Sequence, residues 1–238
     1  MSGGPVPAGF PARDRGRHPP ALHPPYKSTA ARSPRLPPLS VPSTPSEEAG
    51  PVFGHGLVGP LDADLIHNHA APGRAAIGPR TLVHGRVADE AGRPVAGALI
   101  EIWQANAGGR YRHAREGYLA PLDPDFGGCG RCMTGPDGAY AFRTVRPGPY
   151  PWPNGPNEWR PAHIHLSLFG HAFAQRLVTQ MYFEGDPLIS LCPILGGVPA
   201  EAVPSLVARL DPDATIPMDM LAWRFDLVLR GRHRTPFE

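Results

Sequence analysis

From Thr81 onward the chain breaks into short runs whose apolar and polar positions alternate with the two-residue period of a β-strand. Leu82 to Val87 predicts one strand, and Asp89-Glu90-Ala91-Gly92-Arg93-Pro94 the turn after it. Ala98 to Trp103 predicts the next, with Leu99, Glu101 and Trp103 alternating against Ile100 and Ile102. Asp137-Gly138 is a hairpin signal leading into a strand over Ala139 to Val145. Further strands are predicted over Ala162 to Leu168, Leu177 to Phe183 and Trp223 to Leu229. Two segments predict helix: Pro187 to Cys192, and about Pro199 to Leu210. Short strands with Gly/Pro turns and no internal repeat make the expected fold mainly β, an antiparallel β-sandwich with extended loops.

Composition points the same way. The 33 prolines and 28 glycines among 238 residues disfavour long helices. Twelve of the prolines fall in residues 1–50, which show little periodicity. Residues 1–60 are therefore expected to form a proline-rich N-terminal arm, disordered over its first dozen residues and docked on the core or a partner beyond them. The sandwich domain is expected at 61–238. A net charge of +2 is too mild to argue for nucleic acid. No apolar run reaches membrane-spanning length, and the arginine-bearing N-terminus lacks the apolar core of a secretory signal. Three cysteines, an odd count with no framework, suit a reducing cytoplasm. Cys129-x-x-Cys132 has no second pair, and reads as incidental.

The chemistry concentrates in PYPWPNGPNEWRPAHIHLSL, residues 149–168. On a strand, Ile164, Leu166 and Leu168 share one face while His163, His165 and Ser167 share the other. At about 3.3 Å per residue the two histidines stand roughly 6.6 Å apart along the backbone, close enough for both imidazoles to reach one metal. An isolated His-x-His is more often an ordinary polar outer face, and the pair by itself also fits zinc or copper. The surroundings shift the balance. Glu158 is the only carboxylate between Asp137 and Glu184, and no cysteines stand in zinc spacing nearby. Tyrosines instead sit at loop ends: Tyr111 in Gly-Gly-Arg-Tyr-Arg-His, and Tyr150 between Pro149 and Pro151. A phenolate is a hard oxygen donor better suited to Fe(III) than to Zn(II). His67-x-His69 has no such phenols around it and reads as loop histidines.

GGRYRH at 108–113, YLAPLDPDFGG at 118–128, RPGPYPW at 146–152, NEWRPAHIHLSL at 157–168, YFEGDPLI at 182–189 and CPI at 192–194 together resemble the intradiol ring-cleavage dioxygenases, in particular their protocatechuate-cleaving branch. The resemblance runs from about Pro19 to Glu238. It implies one mononuclear non-haem Fe(III) held by Tyr111, Tyr150, His163 and His165, with O₂ as co-substrate. By the same resemblance Tyr150 is the phenolate that leaves when substrate binds, Arg160 lies beside the ring, and Gln180 lies in the pocket. Trp152 and Ile194 become apolar walls, and Tyr26 a partner for the substrate carboxylate. The implied reaction is intradiol cleavage of protocatechuate (3,4-dihydroxybenzoate) to 3-carboxy-cis,cis-muconate in aromatic catabolism. A homologous α chain in a higher hetero-oligomer is the implied partner. Pro153 departs from the pattern, standing where close relatives often carry arginine. Relatives acting on catechol or hydroxyquinol usually carry a helical N-terminal dimerisation domain, which the proline-rich arm does not resemble. A non-catalytic sandwich subunit is disfavoured by the presence of all four ligand residues.

Overall fold

The computed structural model describes residues 16–34, 56, 58–156, 158–170, 176–229 and 233–236. One short helix, α1 (Lys27–Arg32), precedes eleven strands. These are β1 (Arg80–Ala88), β2 (Leu99–Trp103), β3 (Cys129–Met133), β4 (Ala139–Val145), β5 (Tyr150–Pro151), β6 (Trp159–Arg160), β7 (His163–Phe169), β8 (Arg176–Phe183), β9 (Val207–Leu210), β10 (Leu221–Arg224) and β11 (Leu227–Val228). Nine form one sheet in the order β11-β1-β10-β9-β8-β7-β2-β3, with β4 on β1. The β3–β4 turn brings β3, at one end of this path, against β4 on β1 near the other, so the sheet nearly closes on itself. β5 and β6 form a separate two-stranded ribbon.

Alternating apolar positions of these strands meet in one continuous core. Ile100, Ile102, Ile164, Leu166, Leu168, Met181 and Phe183 are all buried in it, with Val83, Val87 and Phe142 from β1 and β4. Burial of side chains this size contributes about 1.5–3 kcal/mol each before conformational entropy is counted. A smaller cluster of Tyr182, Cys192, Leu195 and Leu206, joined by the partly buried Ile194, sits beside it.

The mainly β fold agrees with the alternation, and three expectations need correcting. First, the sheet is mixed rather than antiparallel: β1 runs parallel to β10 and β11, and β8 parallel to β9. Second, about Pro199 to Leu210 is not a helix. It holds a 3₁₀ turn at Val203–Leu206 and then β9. Pro204 has no N–H to continue an α-helix, and Val207 and Ala208 pair with Tyr182 and Phe183 instead. Likewise Pro187 to Cys192 contains only the 3₁₀ turn Ile189–Leu191. Third, Trp223 to Leu229 is two strands, not one. β1 takes β10 along Thr81–His84 and β11 along Val87–Ala88, and between them the Phe225 carbonyl crowds Gly85, where a Cβ would collide with it. The polar face of β7 is enclosed: His163 and Ser167 are nearly as buried as Ile164 and Leu166 between them.

Residues 16–34 lie on the domain. Asn154, itself buried, accepts from the Lys27 N–H at 2.9 Å and donates to the Pro25 carbonyl at 2.6 Å. Tyr26 packs edge-on against Trp152, with ring centroids 5.3 Å apart, and Arg32 covers the Tyr26 ring. The disorder expected of the first dozen residues falls outside the described residues, as do residues 35–55 of the arm.

Candidate active site

Strand register assembles the site in rows. β7 places His165 between Trp103 of β2 and Gln180 of β8, and places His163 opposite Tyr182 of β8. The β5–β6 ribbon pairs Tyr150 with Arg160. Thus Trp103, His165 and Gln180 form one row across the sheet, and the ribbon brings Tyr150 and Arg160 to its edge.

Tyr111 comes from the loop after β2, and Asn106 shapes that loop. The Asn106 side-chain oxygen accepts from the N–H groups of Gly108 and Arg110, and its amide donates to the Pro121 carbonyl. Its backbone carbonyl accepts from both Gly109 and Gly148. Gly109 has φ +82° and lies so close to Pro149 that any Cβ would strike the Pro149 carbonyl. Gly148 is equally confined, with a built Cβ only 2.5 Å from the Ala107 carbonyl. The two tyrosine-bearing loops therefore touch backbone to backbone, and glycines permit it.

Four side-chain atoms converge. Tyr111 Oη lies 3.2 Å from His165 Nε2 and 3.5 Å from His163 Nε2, and Tyr150 Oη lies 3.4 Å from His163 Nε2. His163 Nδ1 donates to the Pro161 carbonyl at 2.7 Å, which fixes the tautomer and leaves the Nε2 lone pair facing the phenols. Burial, then the charge of Arg160 and the proximity of His165, hold the His163 pKa well below its ordinary value, although the Pro161 bond opposes this. It is neutral, as a metal ligand must be. His165 is held by the indole of Trp103, stacked 4.8 Å away and almost parallel. Among the described residues no group of three or more His, Cys, Asp or Glu side chains converges anywhere. A metal at these imidazoles would accordingly draw on phenol oxygens. Two hard phenol oxygens with two imidazole nitrogens are a donor set that fits iron.

Behind this quartet lies a buried polar network. Arg160 is 3% exposed; its Nη2 donates to Gln180 Oε1 and, at 3.0 Å, to Tyr182 Oη. Tyr182 in turn donates to Gln180 Oε1 at 3.0 Å. Gln180 Nε2 is buried with no partner among the described residues, so it remains a donor for a bound molecule. The Arg160 guanidinium lies 5.6 Å from the centre of the Trp152 ring.

A cavity of about 1080 Å³ opens on this site. Trp103, Tyr111, Tyr150, Trp152 and His165 line it, together with Trp159 and most of the loop from His113 to Leu119. Of the residues singled out from the sequence, Tyr111, Tyr150, His165 and Trp152 face the cavity, while His163, Arg160 and Gln180 stand close behind. Tyr26 lies behind Trp152 rather than in the lining, and Ile194 packs with Tyr182 and Cys192. His67 bonds Asp64, away from the quartet. Cys129 and Cys132, three apart on β3, are both free thiols. Sequence reasoning passed over Trp103, Asn106, Gly148 and Tyr182. The first and last become visible only through register; the Gly-Gly before Arg110 and the Pro-Gly-Pro before Tyr150 were available signals for the loop contact.

Residues 48–231 match the family model described as Dioxygenase, and residues 12–44 match that of the protocatechuate 3,4-dioxygenase beta subunit N terminal. The chain is 49% identical over 226 residues to the protocatechuate 3,4-dioxygenase beta chain of Burkholderia cepacia, covering 95% of this chain and 96% of that one. It belongs to the intradiol dioxygenase family. A protocatechuate 3,4-dioxygenase alpha chain from Pseudomonas putida is a more distant relative, 31% identical over 83% of this intradiol dioxygenase and 96% of its own length. Among solved structures, hydroxyquinol 1,2-dioxygenase from Pseudomonas putida DLL-E4 superposes with a TM-score of 0.53 and 27% identity, covering 83% of this chain and 68% of that one. Intradiol dioxygenases depend on iron and use O₂. Among the described residues no helix is long and apolar enough to cross a membrane.

Proposed function

We propose that this chain is the iron-bearing β subunit of a protocatechuate 3,4-dioxygenase, cleaving protocatechuate with O₂ between its two hydroxylated carbons to give 3-carboxy-cis,cis-muconate. The observation that carries the reading is the convergence of Tyr111, Tyr150, His163 and His165 at one point beside a cavity of catechol-accepting size. Near full-length similarity to a β chain supports the choice of substrate, and similarity to α chains supports a homologous second polypeptide. Three free cysteines accord with a cytoplasmic setting.

In this reading Tyr111, Tyr150, His163 and His165 hold one Fe(III), which supplies Lewis-acid activation of the catechol and a template for ring and O₂. The protein's own parts are definite. Tyr150 Oη, as phenolate, accepts one of the two catechol protons and swings clear on its two-residue strand. Pro161 and Trp103 keep the two imidazoles aimed, so these two ligands need no reorganisation during the reaction. Arg160 is pinned by Gln180 and Tyr182, and its fixed charge stabilises negative charge developing on the ring carbon under attack. Gln180 Nε2 donates a hydrogen bond to bound ligand, and Trp152 forms a flat wall for the ring.

The spectrum tests this. Iron-loaded protein is expected to be red-brown from tyrosinate charge transfer, with Tyr111→Phe and Tyr150→Phe each shifting the band, and anaerobic protocatechuate shifting it again. A colourless protein with full iron content would overturn the ligand assignment.

A further inference from the structure

Three arginines lie within six residues of the cavity loop, and they differ in what holds them. Arg110 donates to the Ala120 carbonyl and Arg112 to the carbonyls of Asp123 and Phe126; both brace the loop that presents Tyr111. Arg115 lines the cavity, yet its guanidinium has no hydrogen-bond or ion-pair partner among the described residues; only its backbone N–H is engaged, by His113 Nδ1. The other formal charges in the lining are two carboxylates, and each accepts a hydrogen bond from a neutral donor. Glu116 Oε1 accepts from the Tyr118 N–H at 2.8 Å, and Glu158 Oε2 accepts from Asn154 at 2.8 Å. On the facing loop Pro153 supplies no charge at all. Arg160 is already committed to Gln180 and Tyr182.

Among the described residues the lining therefore holds one lysine or arginine, a planar cation on the same wall as Tyr111 with its guanidinium free. A catechol bearing no anionic group leaves that charge without a use. A ring carboxylate fits it, because guanidinium and carboxylate match as a two-point, charge-assisted pair. We propose that Arg115 is the specificity residue that recognises the carboxylate of the ring substrate, a role that rests on the assignment of protocatechuate above. Its position on an exposed loop, rather than in the buried network, lets it engage a substituent pointing toward the cavity mouth while the two hydroxyls face the phenols and imidazoles.

The experiment compares protocatechuate with catechol on the iron-loaded enzyme co-expressed with its α-type partner, for wild type, Arg115→Gln and Arg115→Lys. Loss of one charge-assisted contact is expected to lower the protocatechuate-to-catechol ratio of kcat/KM about tenfold or more in Arg115→Gln, chiefly through KM, with Arg115→Lys in between. Equilibrium binding of 4-hydroxybenzoate against phenol gives the same contrast without turnover. An equal fall for both substrates would assign Arg115 to loop structure, and an unchanged ratio would show that the carboxylate is read elsewhere; either overturns the inference while leaving the substrate assignment standing. A wild-type enzyme with no preference for protocatechuate overturns the assignment itself, and Arg115 with it.

Discussion

Individual groups in this molecule are tuned mostly by burial. Cys132 is enclosed in the core, which pushes its thiol up to about 12 from an ordinary 9.0. Tyr140 is also enclosed, its hydroxyl donating to the Phe225 carbonyl at 2.6 Å; burial first, then the charges of Cys132 and Asp226, raise its phenol well above 10.0. Both groups keep protons when folded that the unfolded chain would release. Stability from them is complete below the unfolded value of 9.0 and is lost as pH climbs toward the folded values. The urea midpoint is accordingly expected to fall from about pH 9 to about pH 11, and Tyr140→Phe to lessen the part of that fall above about pH 10. A midpoint that is flat or rises over this range would show that other groups dominate. The same dependence on burial makes His163 a neutral imidazole, with its tautomer set by one carbonyl two residues back in the chain.

Between elements, the decisive contact is that of the two tyrosine loops. Gly148 has no room for a methyl group beside the Ala107 carbonyl and the Gly109 N–H. Gly148→Ala must push the loops apart, at about 1–3 kcal/mol for a small overpacking change. Since the shift falls between Tyr111 and Tyr150, iron occupancy and the visible band are expected to drop further than thermal stability does. Wild-type iron content at reduced stability would show that the loops can separate without disturbing the tyrosines. Strand pairing supplies the other half of the site, because the β7–β8 register alone sets Gln180 and Tyr182 against the two histidines. A slip of β8 by one residue would turn Gln180 and Tyr182 together to the other face, away from the histidines.

At the scale of the whole molecule, the N-terminal segment is tied to the domain at several points, with Asn154 at the centre of one of them. Asn154 bonds to Lys27, Pro25 and Glu158 at once, and sits two residues from Trp152. Asn154→Ala removes two part-buried hydrogen bonds to the segment's backbone, at about 0.5–1.5 kcal/mol each. The expected result is faster proteolytic cleavage within residues 16–34 while cleavage of the sheet domain is unaltered, read by limited digestion and mass analysis. Equal protection in the variant would mean that the Tyr26–Trp152 packing and the contact of His18 with Arg234 hold the segment by themselves. The nearly closed sheet stands apart from this contact, its core being made by residues from Leu65 onward.

Much of this was legible in the chain. Two-residue alternation marked most of the long strands, and the strong Asp-Gly turn marked β4, because a half-buried sheet must alternate. The His-x-His spacing put two imidazoles on one strand face, and two proline- and glycine-flanked tyrosines stood out as loop-borne oxygens. Local patterns failed where neighbours decided the outcome. β9 replaced a helix because β8 offered an edge to Val207 and Ala208, and the last strand broke in two where the Phe225 carbonyl meets Gly85. Whether the histidine face meets water was likewise not local; the loops carrying Tyr111 and Tyr150 cover it. The sequence by itself determined which donors the chain possesses and which face of each strand they occupy, since those follow from backbone geometry residue by residue. Only the tertiary structure decided that His163, His165, Tyr111 and Tyr150 meet at one point, because strand register and glycine-permitted backbone contact are properties of segments far apart in the chain.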